Sequence, residues 1–146
     1  MLFACLSLSA CTSGPTGQPK QLPVPGTVMA ERWTDLGFGF REVTRSQVNP
    51  TGSFEGIGHF VFVYFRDENL CQCSRSEVSI APDGSRMLYT DVADGKLMLF
   101  IVSSRKRVEL TQEFVGYPTG ATWDLLAKKA LVTLERGNRS SITVPL

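Results

Sequence analysis

The chain has 146 residues, with 15 basic against 14 acidic side chains and a formal net charge of +1. That length suits one domain able to bury most of its apolar surface, and the charge balance leaves no bulk field to recruit nucleic acid. A membrane-spanning helix needs roughly 20 apolar residues, which the amino-terminal run Leu2–Leu8 does not approach.

Taken in chain order, Met1–Leu8 is an apolar run followed by Ser9, Ala10 and Cys11, and then by a proline- and glycine-rich tract. Leu8-Ser9-Ala10-Cys11 resembles, position by position, the lipobox of a bacterial lipoprotein signal peptide. The resemblance implies that residues 1–10 are a signal that is cleaved off. Cys11 would then carry palmitate-type acyl chains, and Thr12 after it would sort the protein to the outer membrane. Acyl chains supply about 0.8 kcal/mol per buried methylene, and stable anchoring takes more than one chain. A secretory signal normally opens with a positively charged segment. Nothing before Cys11 carries a charge, so the true start is expected upstream. The alternative reading of this run is a buried apolar strand that ends in cysteine.

Residues 11–27, with Thr12–Gly26 reading TSGPTGQPKQLPVPG, hold little to bury and form a flexible to semi-extended tether. From there to Leu146 the chain is a series of short apolar runs separated by turn residues, and residues 28–146 are taken as one domain. Phe60–Phe65 is β-branched and aromatic throughout, as a strand covered on both faces should be. Glu77–Ile80, Arg86–Asp91, Leu97–Val102 and Arg107–Thr111 read as further strands. Between them lie Pro82-Asp83-Gly84, Asp94-Gly95 and the polar run Ser103–Lys106. In Pro-Asp-Gly the proline fixes φ and the glycine accepts a positive φ, which presets a tight turn. Thr122–Gly137 fits two descriptions. Trp123, Leu126, Ala130, Leu131 and Leu134 follow helical spacing with Thr122 as cap, but an internal repeat makes the segment strands.

In that repeat, the shift that carries Ile80 onto Trp123 also carries Arg86 onto Lys129, Leu88 onto Leu131 and Thr90 onto Thr133. Without a gap, it then carries Gly95 onto Asn138, Leu99 onto Ile142 and Ile101 onto Val144. A partial copy lies upstream, where Val63-Tyr64-Phe65 and Leu70–Ser74 parallel Phe100-Ile101-Val102 and Val108–Thr111. A period of about 40–45 residues built from four strands marks a propeller blade. The stretch Ile80–Thr90 with its Pro82-Asp83-Gly84 turn, then Asp94-Gly95, a strand and Glu109-Leu110-Thr111, resembles the WD40-like (PD40) repeat of TolB-type β-propellers. In that family Pro-Asp-Gly joins the innermost strand to the next, and a Leu-Thr closes the blade. The third copy departs from it, with Asp124-Leu125-Leu126 standing where Pro-Asp-Gly would. The expected fold is all-β, with propeller-like blades of antiparallel four-stranded sheets forming a partial propeller; a small β-sandwich is the alternative. Closed propellers use 4–8 blades. This chain has material for fewer, so assembly with further copies is one way for it to be completed.

Chemistry-bearing residues are sparse. His59 is the only histidine, and no HExxH, glycine-rich phosphate loop or tetrahedral zinc set is present. No catalytic residue, metal site or cofactor is therefore expected. Cys5 would leave with the signal and Cys11 would be consumed by lipid, which leaves Cys71 and Cys73. These two lie two apart and so share a face of a strand. They form either a local disulfide or buried thiol pair stiffening the sheet edge, or a redox- or metal-responsive pair. Arg105-Lys106-Arg107 and Lys128-Lys129 read as solvated hairpin tips. Trp33, Phe38 and Phe40 either line a partner groove or cap the first sheet. TolB-type propellers are interaction platforms. The expectation is thus a non-enzymatic outer-membrane lipoprotein that holds the membrane through its lipid and binds an envelope protein or polymer. The alternative is a thiol-redox or metal-responsive lipoprotein using Cys71 and Cys73.

Overall fold

The computed structural model describes residues 24, 26–48 and 56–146. The signal, Cys11 and nearly all of the tether lie outside these residues. Among the described residues, eleven strands form three open antiparallel sheets, each a meander in chain order, and none closes into a barrel. The first sheet is β1 (Val28–Gly37), β2 (Phe40–Val48), β3 (Ile57–Phe65) and β4 (Glu68–Cys71). A single 3-10 turn, Arg75–Glu77, leads into the second sheet: β5 (Val78–Ile80), β6 (Arg86–Thr90), β7 (Leu97–Ile101) and β8 (Lys106–Glu109). The third holds β9 (Tyr117–Asp124), β10 (Lys129–Arg136) and β11 (Asn138–Pro145). The architecture is all-β and resembles part of a propeller.

Alternation along β6 and β7 explains the stacking, because successive side chains of a strand point to opposite faces. Met87, Tyr89 and Phe100 meet Phe40, Val63, Phe65 and Leu70 of the first sheet in one core. Leu88, Leu97 and Leu99 meet Ala130, Val132, Leu134 and Val144 of the third sheet in the other. The second sheet is therefore covered on both faces, which is why Met87-Leu88-Tyr89 and Leu97–Ile101 are apolar without interruption. Phe40, Phe65 and Phe100 form an aromatic cluster, with centroids 5.0, 5.4 and 6.3 Å apart. Burying each such ring contributes about 1.5–3 kcal/mol. At the outer edge, Arg107 Nη2 donates to Glu68 Oε1 at 2.8 Å and to the Asn69 carbonyl at 2.9 Å, tying β8 to β4. Arg107 is thus a clamp between sheets and not a solvated tip residue.

One backbone hydrogen bond recurs at the same point of each sheet: Arg66 N to Gly39 O at 2.8 Å, Val102 N to Ser85 O at 3.0 Å, and Leu146 N to Lys128 O at 2.9 Å. These bonds fix the true correspondence of the three units. The first hairpin keeps the sequence register, with Ile80 opposite Met87 and Trp123 opposite Ala130. The second hairpin slips by one residue, since Ile101 pairs with Arg86 while Pro145, not Val144, pairs with Lys129. A similar slip corrects the upstream copy, in which Phe65 matches Ile101 and not Val102. Each slip moves side chains to the opposite face. It arises because the six-residue connection Asp91–Lys96 is replaced in the third sheet by a tight turn at Gly137, φ 78°.

Thr122–Gly137 is two strands and a turn. Ala130, Val132 and Leu134 are buried in strand alternation, whereas Leu126 and Leu131 of the helical stripe are 99% and 49% exposed. The Asp124 carboxylate accepts from Ala127 N at 2.9 Å, and Lys128 takes φ 50°, closing the hairpin that Pro-Asp-Gly closes in the second sheet. There, Asp83 Oδ1 accepts from Ser85 N at 3.0 Å and from Ser85 Oγ at 2.7 Å. These bonds hold its carboxyl below the ordinary carboxylate range. Gly84 has φ 71°, and the Phe38 ring from the β1–β2 tip lies directly on it. A Cβ there would sit 2.2 Å from Phe38 Cγ.

Candidate interaction surface

On the face of the first sheet turned away from the second, pairing register alone builds a continuous patch. Glu31 lies opposite Arg45, Trp33 opposite Val43, and Asp35 opposite Arg41. Phe62 lies opposite Val43, and Tyr64 opposite Arg41. Cross-strand partners share a face, so aromatic and arginine side chains interleave there. Arg41 Cζ stands 4.6 Å over the Trp33 ring, and Arg45 Cζ stands 5.3 Å over Phe62 and 5.5 Å over Tyr64. Trp33 and Tyr64 are tilted neighbours at 5.5 Å. Glu31 ties the patch together, accepting from Arg45 Nε at 2.6 Å and from the Trp33 indole. The bond from Arg45 lowers the Glu31 pKa, and the reciprocal bond raises that of Arg45.

No further sheet covers this face among the described residues, yet Val43 is fully buried within it. Trp33 remains 42% exposed. β3 is therefore covered on both faces only from Val63 to Phe65, with its own neighbours supplying the outer cover, and Phe60–Phe62 are half-buried. Of the three aromatics expected at a groove or cap, Trp33 belongs to the patch and Phe38 covers the Gly84 turn. Phe40 is fully buried in the first core, because β2 alternation turns it inward.

Cys71 and Cys73 form a disulfide with Cα atoms 5.4 Å apart, at the end of β4. Both are buried in the first core, with exposures of 7% and 2%. Pro82, Asp83 and Gly84 form the β5–β6 turn. His59 is exposed on β3, its Nδ1 2.9 Å from Ser46 Oγ across the ladder. A working serine–histidine pair needs an acid to orient the imidazole, and no such acid is bonded to it among the described residues. No group of three or more His, Cys, Asp or Glu side chains is placed to hold a metal ion among the described residues.

An open cleft of about 540 Å³ lies between the Arg75–Glu77 turn and the β10–β11 hairpin, lined in part by Glu77, Phe114, Tyr117, Glu135 and Arg136. Much of its polar chemistry is already engaged. Glu77 accepts from Ser74 N at 2.8 Å, and Arg136 donates to Phe114 O at 2.9 Å.

The arginine–aromatic patch was open to discovery from sequence through the alternation Glu31-x-Trp33 and Arg41-x-Val43-x-Arg45. What brings the two strands together with Phe62 and Tyr64 is the register, which sequence reasoning did not supply. No protein-family profile, curated protein or solved structure matches the chain.

Proposed function

We propose that the protein is an outer-membrane-anchored envelope lipoprotein whose β domain is a non-enzymatic module for an envelope protein or polymer. The observation that carries this reading is the outer face of the first sheet. Tryptophan, tyrosine and arginine are the residues most enriched where binding energy concentrates, and here Trp33, Tyr64, Arg41 and Arg45 stand together in mutual contact. The resemblance of Ile80–Thr111 to the TolB-type repeat points the same way, and that of Leu8–Cys11 to a lipobox supports the anchor. Burial of both Cys71 and Cys73 favours a structural disulfide over a redox pair, since reactive thiols need access. The test is capture from solubilised cell envelope by the wild-type chain and by Trp33→Ala and Arg45→Ala, with bound material identified by mass spectrometry. Loss of a defined partner by at least about tenfold in both variants is expected, as for central interface residues. A partner retained equally by both would remove this face from the proposal.

A further inference from the structure

The β3–β4 and β7–β8 turns put an arginine at the same end of adjacent sheets, Arg66 in the first and Arg105 in the second. Both take a positive φ, 55° and 52°, a conformation uncommon for a long side chain and easy for glycine. Both guanidinium groups nonetheless converge on one ring. Arg66 Cζ stands 5.4 Å and Arg105 Cζ 5.9 Å from the centre of Phe65. That ring is a fixed anchor, 2% exposed and packed against Phe40 and Phe100 in the first core. The Arg66 backbone is held as well: its N donates to Gly39 O at 2.8 Å, and Arg41 Nη2 donates to its carbonyl at 2.7 Å.

Arg66 and Arg105 are exposed, and neither has an ion-pair partner among the described residues, whereas Arg107 beside them is engaged by Glu68. Residues 1–23 hold no acidic side chain that could neutralise them. A guanidinium stacked on a ring keeps its donors free, because they point outward in its own plane. Two such groups offer two forks. The two oxygens of a carboxylate fill one fork, while a phosphate has oxygens for both. The same turns also carry Asp67 and Asp83, and Asp83 holds its charge below the ordinary carboxylate range. A flat anionic membrane laid on this end would meet those carboxylates together with the arginines. A chain lying along the seam between the two sheets meets the arginines without them.

We infer that Arg66 and Arg105 form a phosphate-binding clamp at the seam between the first and second sheets, and that its ligand is a phosphate-bearing polymer chain. The Phe65 ring orients both guanidinium groups before the ligand arrives, which lowers the ordering cost of binding. The two turns that carry the clamp are each bounded on both sides by described strands. The site uses neither Trp33 nor Arg45, so it and the arginine–aromatic face can each fail without the other.

The test titrates the full chain with linear polyphosphate and with inorganic phosphate while following backbone amide resonances. Co-sedimentation with phosphatidylcholine vesicles, with and without phosphatidylglycerol, runs alongside. Polyphosphate should perturb the amides of Arg66, Asp67, Arg105 and Lys106, and bind at least about tenfold tighter than inorganic phosphate. The double variant Arg66→Gly, Arg105→Gly keeps both turns, since glycine accepts the positive φ, and should lose at least about tenfold in polyphosphate affinity. Arg75→Ala, an equally exposed arginine at the other end of the sheets, should leave that affinity unchanged. Unchanged affinity in the double variant, an equal loss in Arg75→Ala, or perturbation centred elsewhere overturns the inference. So does inorganic phosphate binding as tightly as polyphosphate, or sedimentation that depends on phosphatidylglycerol without polyphosphate binding, since a headgroup surface would then be the ligand.

Discussion

Single residues here act mainly through contacts that neighbouring units make on them. Gly84 is the clearest case, because its positive φ is demanded by the turn and its missing Cβ is demanded by Phe38. The Pro82-Asp83-Gly84 signal fixed the first requirement in the sequence, but nothing local revealed the second. Gly84→Ala should cost about 1–3 kcal/mol, combining a disfavoured φ with displacement of the Phe38 ring. Chemical denaturation checks this, and pairing it with Phe38→Ala separates the two causes. If the steric contact dominates, the glycine substitution becomes markedly cheaper in the Phe38→Ala background; an unchanged cost would assign it all to backbone strain. Phe40 makes the complementary point: two residues along the chain from Phe38, it is fully buried while Phe38 is 59% exposed. The turn between β1 and β2 separates them, and only strand alternation after the turn decides which one enters the core.

At the scale of the element, the third sheet repeats the second while reversing its outer character. Leu97, Leu99 and Ile101 of β7 pack toward the third sheet, whereas the corresponding positions of β11 are Ser141, Thr143 and Pro145. Leu88 of β6 survives as Leu131, fully buried in the one and 49% exposed in the other. The third sheet thus turns polar side chains to the face on which the second turns apolar ones against a neighbour. Leu88→Thr should therefore destabilise by about 3 kcal/mol through lost burial and a cavity, while Leu131→Thr should stay within about 0.5 kcal/mol. Urea midpoints of the two variants test this directly, and a large loss for Leu131→Thr would mean that something covers the outer face of the third sheet.

For the molecule as a whole, cooperativity depends on the second sheet serving two cores at once. β7 gives Phe100 to the first core and Leu99 to the second, so damage on one side is transmitted through a shared strand. Phe100→Ala should cost about 3–5 kcal/mol and should lower hydrogen-exchange protection in β10, although β10 never touches the first core. Unchanged protection in β10 would show that the sheets open independently, as nearest-neighbour repeats can.

Much of the fold was legible in the residues themselves. Strand periodicity, the Pro-Asp-Gly and Asp-Gly turns and the recurrence of Ile80–Ile101 in Trp123–Val144 determine an all-β chain of repeated meanders, because these are local properties of alternation and turn chemistry. The sequence reading placed two-face cover on Phe60–Phe65 of the first sheet, whereas the structure gives it to the second sheet, where Met87-Leu88-Tyr89 and Leu97–Ile101 are apolar throughout. Sequence did not reveal which residues share a face across strands, since a one-residue slip at Gly137 exchanges Val144 for Pro145 and inverts inside and outside. For the same reason the patch of Trp33, Arg41, Arg45, Phe62 and Tyr64 and the clamp of Arg107 on Glu68 belong to tertiary structure alone. Each depends on register and on which sheets lie side by side, and neither is encoded in the spacing of residues along one strand.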